Sequence, residues 1–147
     1  RPRHKKIIDE LLNLKVNINF ITDGDIAGAL SVVGENPKND IYIGTGGGPE
    51  GVITAAALSC YGGQIQGRLV LDSKEMLRAK KVGIKDFNKK YNIDNMVKGD
   101  VIFCATGVTD GDLVKGIIVS EDNFEVNTLA LHKSQNIKKL VTNTYKK

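Results

Sequence analysis

The chain has 147 residues, with 41% hydrophobic and 26% charged side chains and a net charge of +4. This length suits one domain with a sizeable core, and no apolar run approaches the ~20 residues that span a bilayer. No signal peptide is visible, and aromatic residues make up only 5% of the chain, too few for a base-stacking surface. We therefore expect a cytoplasmic protein with no membrane or nucleic acid partner, and the modest basic charge favours an anionic small ligand.

The two cysteines, Cys60 and Cys104, lie far apart and lack the spacing of metal ligands. We expect two buried thiols in a reducing compartment.

The first third of the chain alternates between helical and extended patterns. Apolar residues at helical spacing predict a helix at about 4–14, and an alternating run predicts a strand at 16–21. A short helix is predicted at 26–33 with Asp25 as its N-cap, followed by a strand at 40–43.

The same alternation continues to the end of the chain. In order, the pattern predicts a helix at 49–61, a strand at 68–71, a helix at 73–81, a strand at 101–105, a hairpin of 116–119 with 123–131, and a weakly patterned tail at 136–147. Strands that alternate with helices predict a layered α/β domain with a mixed, largely parallel sheet.

A glycine-rich run from Gly46 to Gly48 precedes Pro49 and Glu50 at the predicted start of a helix. Glycine permits positive φ and close approach of a ligand, and the free N–H groups of a helix start attract anions such as phosphate. Glu50 would repel a phosphate there unless a cation lay between them. This conflict indicates metal-assisted phosphate chemistry.

The triplet Asp23-Gly24-Asp25 follows a predicted strand, as the glycine run does. Ligands gather at the carboxyl ends of strands in such sheets, so the two loops share one crevice if their strands are neighbours. Asp23 and Asp25 are candidates for metal ligation or for contacts to sugar hydroxyls. A tight turn with an N-cap is the plainer alternative.

Other polar residues have weaker patterns. Arg1 and Arg3 bracket Pro2, and their guanidinium groups match phosphate oxygens, although taken alone two terminal arginines are better explained as solvated. The second triplet, Asp110-Gly111-Asp112, is interpreted as a turn. The two histidines, His4 and His132, lack partners at ligand spacing and are interpreted as surface or satisfied residues.

One alternative function competes with phosphate chemistry. Gly46–Gly51 fits the dinucleotide pattern G-x-G-x-x-G, and Asp72 follows about 20 residues later, as in a non-catalytic Rossmann-like module. Against it, another strand–helix unit precedes the motif, and Glu50 would face a pyrophosphate without a mediating cation.

Several of these motifs together resemble class II fructose-1,6-bisphosphatase, a family similar to the lithium-sensitive, metal-dependent sugar phosphatases. The matching segments, in order along nearly the whole chain, are Arg1-Pro2-Arg3, Asp23-Gly24-Asp25, Gly46–Gly51, Gly67-Arg68-Leu69, Ala105-Thr106-Gly107 and Gly111-Asp112-Leu113. The resemblance implies that residues 1–147 are the C-terminal α/β domain of such an enzyme. An N-terminal half, absent here, would carry most metal-binding carboxylates and the catalytic residues.

The resemblance also implies roles for particular residues. The implied substrate-binding residues are Arg1, Pro2, Arg3, Asp23, Gly24, Asp25 and Gly47. Glu50 is the implied metal ligand, for Mn²⁺ or Mg²⁺. The implied reaction is hydrolysis of the 1-phosphate of fructose-1,6-bisphosphate by metal-activated water, in gluconeogenesis. The implied partners are a sugar bisphosphate, the N-terminal half and further copies of the enzyme in a dimer or tetramer.

Overall fold

The structure is a computed structural model that describes residues 1–22 and 24–147. A 3₁₀ turn at Pro2–His4 leads into the helices, which are α1 Lys5–Asn13, α2 Asp25–Leu30, α3 Gly48–Tyr61, α4 Ser73–Lys81 and α5 Ile93–Met96. The strands follow as β1 Ile102–Thr106, β2 Ile118–Val119, β3 Asn123–His132 and β4 Ile137–Lys146. No helix in the described part of the chain has the length and apolar character needed to cross a bilayer.

The four strands form one sheet with β3 at its centre. Both β1 and β2 pair with one side of β3, and β4 pairs with the other along its whole length, from Asn123↔Lys146 to His132↔Ile137. Every one of these pairings is antiparallel. The prediction of helices and strands in layers is met, but the prediction of a largely parallel sheet is wrong.

The error lies in three apolar segments, 16–21, 40–43 and 68–71, which form no strand among the described residues. Their β-branched and aromatic residues suit a strand, but a strand also needs a neighbour for its N–H and C=O groups. Phe20, Ile41 and Val70 remain 65%, 69% and 73% exposed. Near the third segment, only an isolated antiparallel bridge between Gly67 and Tyr91 is recorded in the described chain.

The opposite error concerns β4. The sequence predicts a weakly patterned tail at 136–147, but the structure has a ten-residue strand there. Most β4 side chains are exposed, so they need not alternate in polarity, and the backbone ladder with β3 defines the strand instead.

The predicted helices are confirmed in position. The first and last of them, α1 and α4, lie within a residue or so of the predicted bounds, as does α3. The second helix, α2, is shorter than predicted, and its N-cap is Gly24, with Asp25 as the first helical residue and no side-chain cap.

The core lies between α3 and one face of the sheet. The buried side chains that form it are Leu30 of α2; Ala57, Leu58 and Cys60 of α3; Val101 and Phe103 at β1; and Leu129 and Leu131 of β3. Burying a leucine side chain contributes roughly 1.5–3 kcal/mol. Cys104 alternates to the other face of β1 and is exposed, so the prediction of two buried thiols is right only for Cys60.

Helix α3 connects this core to the functional region. It ends at Gly62, whose φ of 69° is left-handed, and the Gly63 N–H bonds the Leu58 carbonyl at 3.0 Å. This is a helix end that favours glycine. The other end begins at Gly48 and Pro49 and points away from the core. A buried helix therefore fixes the position of the glycine-rich loop.

Candidate functional site

A cavity of about 620 Å³ opens at the N-terminus of α3. The residues that line it are Arg3, Gly24, Asp25, Ile26, Thr45, Gly46, Gly47 and Glu50. They come from three separate segments of the chain. The predicted meeting of the Asp25 and Glu50 loops in one crevice is confirmed, although Asp23 lies outside the described residues.

The two loops meet for a different reason from the one predicted. The argument from neighbouring parallel strands does not apply, because the segments before both loops form no strand. Instead α2 packs against α3, and each helix carries its preceding loop to the same place. Buried Gly28, Ala29 and Leu30 of α2 allow this packing.

Two glycines make room for the two carboxylates. A Cβ at Gly46 would lie 2.7 Å from Oδ2 of Asp25, and a Cβ at Gly47 would collide with the carboxylate of Glu50. Gly47 has φ of −71°, so it is not the left-handed conformation that requires glycine here. Close approach matters at Gly46, because Tyr42 holds the Asp25 carboxylate against it. At Gly47 the contact is with the end of the exposed Glu50 side chain, which can move aside.

Tyr42 holds the Asp25 carboxylate in place. Its hydroxyl donates a hydrogen bond to Oδ1 of Asp25 at 3.0 Å. Burial, and then the hydrogen bond and the negative charge of Asp25, raise the pKa of Tyr42 to about 12. The ring also packs over Gly28, where a Cβ would come within 2.8 Å of it. Tyr42 therefore stays protonated and available as a donor at neutral pH.

The start of the chain is tied to the glycine loop through Thr45. Nε of Arg3 donates to the Thr45 carbonyl at 2.6 Å, and the Thr45 N–H donates to Nε2 of His4 at 2.9 Å. The four terminal N–H groups of the Arg3 guanidinium remain for other acceptors. Arg1 and Pro2 are exposed beside Arg3 but do not line the cavity.

Glu50 is exposed in the first turn of α3 and has no hydrogen-bond or ion-pair partner within residues 1–22 and 24–147. An unpaired carboxylate suits a hard cation such as Mg²⁺ or Mn²⁺. Across the part of the chain that the structure describes, no three His, Cys, Asp or Glu residues cluster in a way that could hold a metal. Glu50 therefore offers free oxygen donors, and the described residues alone do not complete a metal site around it.

The dinucleotide alternative finds no support in this geometry. The glycine loop does not follow a strand, and the sheet has no parallel pair among its described strands. Asp72 is occupied as the N-cap of α4, where Oδ1 accepts hydrogen bonds from the N–H groups of Lys74 and Glu75 at 2.8 Å each. Its role in the structure is thus to cap a helix outside the cavity.

The remaining polar candidates serve the fold. Asp110 accepts a hydrogen bond from the Gly116 N–H at 2.9 Å, which agrees with its interpretation as a turn residue. His132 is paired with Asp100 at 2.6 Å, as expected of a satisfied histidine.

Sequence reasoning missed the roles of Tyr42, Thr45 and His4 in shaping the cavity. A polar aromatic residue next to a glycine run was a signal for Tyr42. Nothing local indicates the contact of His4 with Thr45, which lies 41 residues away.

Comparison with known proteins identifies the family. The profile of the family described as "Bacterial fructose-1,6-bisphosphatase, glpX-encoded" matches residues 1–145. Three relatives carry the name D-fructose 1,6-bisphosphatase class 2/sedoheptulose 1,7-bisphosphatase. The protein of Trichodesmium erythraeum is 38% identical over 80% of this chain and 38% of its own length. That of Synechocystis sp. is 32% identical over the whole chain and 47% of its own length.

The third relative, from Microcystis aeruginosa, is 35% identical over 80% of this chain and 38% of its own length. The chain thus spans less than half the length of these curated relatives. Since the family profile matches nearly every residue, this chain belongs to the glpX-encoded bacterial fructose-1,6-bisphosphatase family.

Proposed function

We propose that this chain is the C-terminal, substrate-binding part of a metal-dependent phosphatase that hydrolyses the 1-phosphate of fructose-1,6-bisphosphate to give fructose 6-phosphate. The observation that carries the proposal is the cavity in which Arg3, the N-terminus of α3 and the unpaired Glu50 face one another. The guanidinium of Arg3 and the N–H groups at the start of α3 suit a phosphate. The carboxylate of Glu50 in the same cavity would repel that phosphate unless a cation were bound with it.

Different residues of the chain are proposed to bind the phosphate and the sugar hydroxyls of the substrate. Arg3, with Arg1 and Pro2 beside it, forms the basic segment for a substrate phosphate, and its Nε bond to Thr45 keeps the guanidinium at the cavity. The carboxylates of Asp23 and Asp25, together with Gly24, are proposed to bind sugar hydroxyls. Tyr42 keeps the Asp25 carboxylate over Gly46, at a fixed orientation towards those hydroxyls. Gly47 leaves the loop backbone open to the substrate.

Glu50 is proposed as the single metal ligand from this part of the enzyme. A divalent cation, Mn²⁺ or Mg²⁺, would supply an activated water and stabilise charge on the phosphate when bound. The remaining metal ligands and the catalytic residues are assigned to an N-terminal half of the same enzyme. This assignment is supported by relatives that are more than twice as long as the region they share with this chain. We further propose a cytoplasmic dimer or tetramer.

The experiment that tests the proposal is Glu50→Gln in a full-length enzyme that contains this chain. The substitution keeps size and removes charge, so turnover should fall by a factor on the order of 10²–10³ and the metal concentration for half-maximal activity should rise. Thermal stability should change little, since a carboxylate in a helix's first turn contributes only ~0.3–1 kcal/mol. Metal-titrated kinetics with fructose-1,6-bisphosphate provide the measurement.

The matched control is Glu35→Gln, which removes the same charge from an exposed loop outside the cavity and should leave the kinetics unchanged. If Glu50→Gln behaved like Glu35→Gln, with normal turnover and metal affinity, Glu50 would not belong to the site. The strongest structural support for the phosphatase proposal would then be lost.

A further inference from the structure

We propose that His4 is a positioning residue of this site: its imidazole binds the backbone of Thr45, and so holds the loop Gly44–Gly48 against the segment Arg1–Arg3. The effect of His4 on catalysis rests on the proposed function, whereas the contact between His4 and Thr45 is present in the structure of this chain.

Both backbone polar groups of Thr45 are occupied by side chains from consecutive residues. The Thr45 N–H donates to Nε2 of His4 at 2.9 Å, while the Thr45 carbonyl accepts from Nε of Arg3 at 2.6 Å. His4 and Thr45 are both half-buried. The two side chains therefore bind Thr45 in the way that a neighbouring strand would, with one donor and one acceptor.

The residues around Thr45 explain why its two hydrogen bonds, to His4 and to Arg3, restrict the loop. Gly44 precedes it and Gly46, Gly47 and Gly48 follow it, so the chain on both sides has the largest backbone freedom available. Thr45 is the only residue with a side chain between Gly44 and Pro49. Holding its two backbone groups restricts the whole loop, and Gly47 at its end is the N-cap of α3, three residues before Glu50.

The geometry also fixes the protonation of the ring. Nε2 lies 2.9 Å from the Thr45 nitrogen and 3.2 Å from the Thr45 carbonyl oxygen, so its shorter contact is with the N–H donor. We therefore infer that Nε2 is the acceptor and that the ring proton resides on Nδ1. The opposite tautomer would leave the half-buried Thr45 N–H facing another donor, and an unsatisfied donor costs about 1–3 kcal/mol.

The first test measures the tautomer in the unaltered chain. Long-range ¹H–¹⁵N correlation spectra at pH 8 show which ring nitrogen carries the proton, and we expect Nδ1 for His4. The chain has only two histidines, so His132→Gln leaves one imidazole and assigns its signals. A proton on Nε2 of His4 would overturn the proposal, because that nitrogen could not then accept the Thr45 N–H.

The second test measures positioning without activity. In the 147-residue chain, His4→Leu should speed amide hydrogen exchange at Thr45, Gly46 and Gly47 about tenfold, since the lost acceptor releases the loop. His4→Gln should restore protection, because its amide oxygen can accept the same N–H at nearly the same reach. Equal exchange in the parent, His4→Leu and His4→Gln would contradict the positioning role.

The third test uses the full-length enzyme. A misplaced loop can cost about 10²-fold in rate, so His4→Leu should lower kcat/KM by roughly 10–100-fold and His4→Gln by no more than about threefold. Similar losses in both variants, or none in either, would show that His4 does not position the site. If the full-length parent protein did not hydrolyse the substrate, the proposed function would be wrong. The first two tests would still show whether His4 positions Thr45.

Discussion

At the residue scale, the cavity depends on charged side chains that are each fixed in position by a hydrogen bond to a second residue. Asp25 and Tyr42 form one pair, and Arg3 and Thr45 form another. The sequence indicates the charged members, because Asp25 and Arg3 belong to short motifs with an evident chemistry. It does not indicate their partners, since those contacts join residues 17 and 42 positions apart.

The pair of Tyr42 and Asp25 leads to a prediction about titration. The pKa of Tyr42, raised to about 12, should fall in Asp25→Asn but stay above 10, because burial is the larger cause and the hydrogen bond and charge are the smaller ones. Absorbance titration of tyrosinate measures this, with Tyr42→Phe identifying the signal among the chain's four tyrosines. Asp40→Asn, a nearby exposed acid, serves as the control and should leave the curve unchanged.

A group of three residues outside the cavity, Asp100, His132 and Ser134, links pH to stability. Asp100 accepts hydrogen bonds from the Ser134 hydroxyl and from His132, both at 2.6 Å, and these contacts hold the pKa of the Asp100 carboxyl well below its usual range. A carboxyl with a lowered folded pKa stabilises the fold above its unfolded pKa of about 4, and this contribution is lost as pH falls towards the folded value.

Asp100→Asn should therefore lower the urea midpoint at pH 7, and the gap to the parent should shrink at pH 3. The control is Asp112→Asn, which removes an exposed carboxylate without a hydrogen bond or ion pair in the described chain and should leave a constant, small difference. A gap of the same size at both pH values would mean that Asp100 makes no linked contribution to stability.

At the element scale, local signals determine the helices and distant neighbours determine the strands. Pro49 at the start of α3 and Gly62 at its end are readable from adjacent residues, and the run from Ser73 predicts α4, although its cap is Asp72. The segment 16–21 has the composition of a strand and forms none, while β4, whose polar and apolar residues do not alternate, pairs throughout with β3. Strand pairing depends on which partner is available, and the sequence does not state that locally.

The N-terminal cap of helix α4 leads to a prediction about the stability of that helix. Asp72 accepts two backbone N–H bonds, and Glu75 accepts the Asp72 N–H at 2.9 Å, which forms a capping box. Only Ala79 of this helix is buried, so the helix depends on its own hydrogen bonds. Asp72→Ala should cost about 1 kcal/mol, seen as roughly fivefold faster amide exchange across residues 73–81.

The control for this prediction is Asp94→Ala, which removes a carboxylate from the first turn of α5 without removing its N-cap, Asn92. Exchange in α4 that stayed at the parental rate in Asp72→Ala would show that the cap does not determine the stability of the helix.

At the scale of the whole molecule, the site has its binding groups but only one proposed metal ligand. Mg²⁺ prefers near-octahedral coordination by oxygen, and Glu50 supplies one or two of those oxygens. The purified 147-residue chain should therefore release no phosphate from fructose-1,6-bisphosphate above background, with either Mg²⁺ or Mn²⁺, in a continuous phosphate assay.

A full-length enzyme that contains this chain provides the comparison and should be active under the same conditions. Metal-dependent phosphate release by the 147-residue chain would contradict the prediction. It would mean that Asp23 and Asp25, with Glu50, complete a metal site.

The outer edge of the sheet has a consequence for how this chain behaves in solution. Strand β4 runs for ten residues and pairs with β3 alone among the described strands, so its other side presents free backbone groups. Such an edge can recruit extended segments of other molecules and begin aggregation. Lys138, Lys139 and Lys146 lie along it, and their charges repel an approaching copy. We therefore expect the chain to aggregate more readily as salt rises, because screening of these lysines weakens the repulsion.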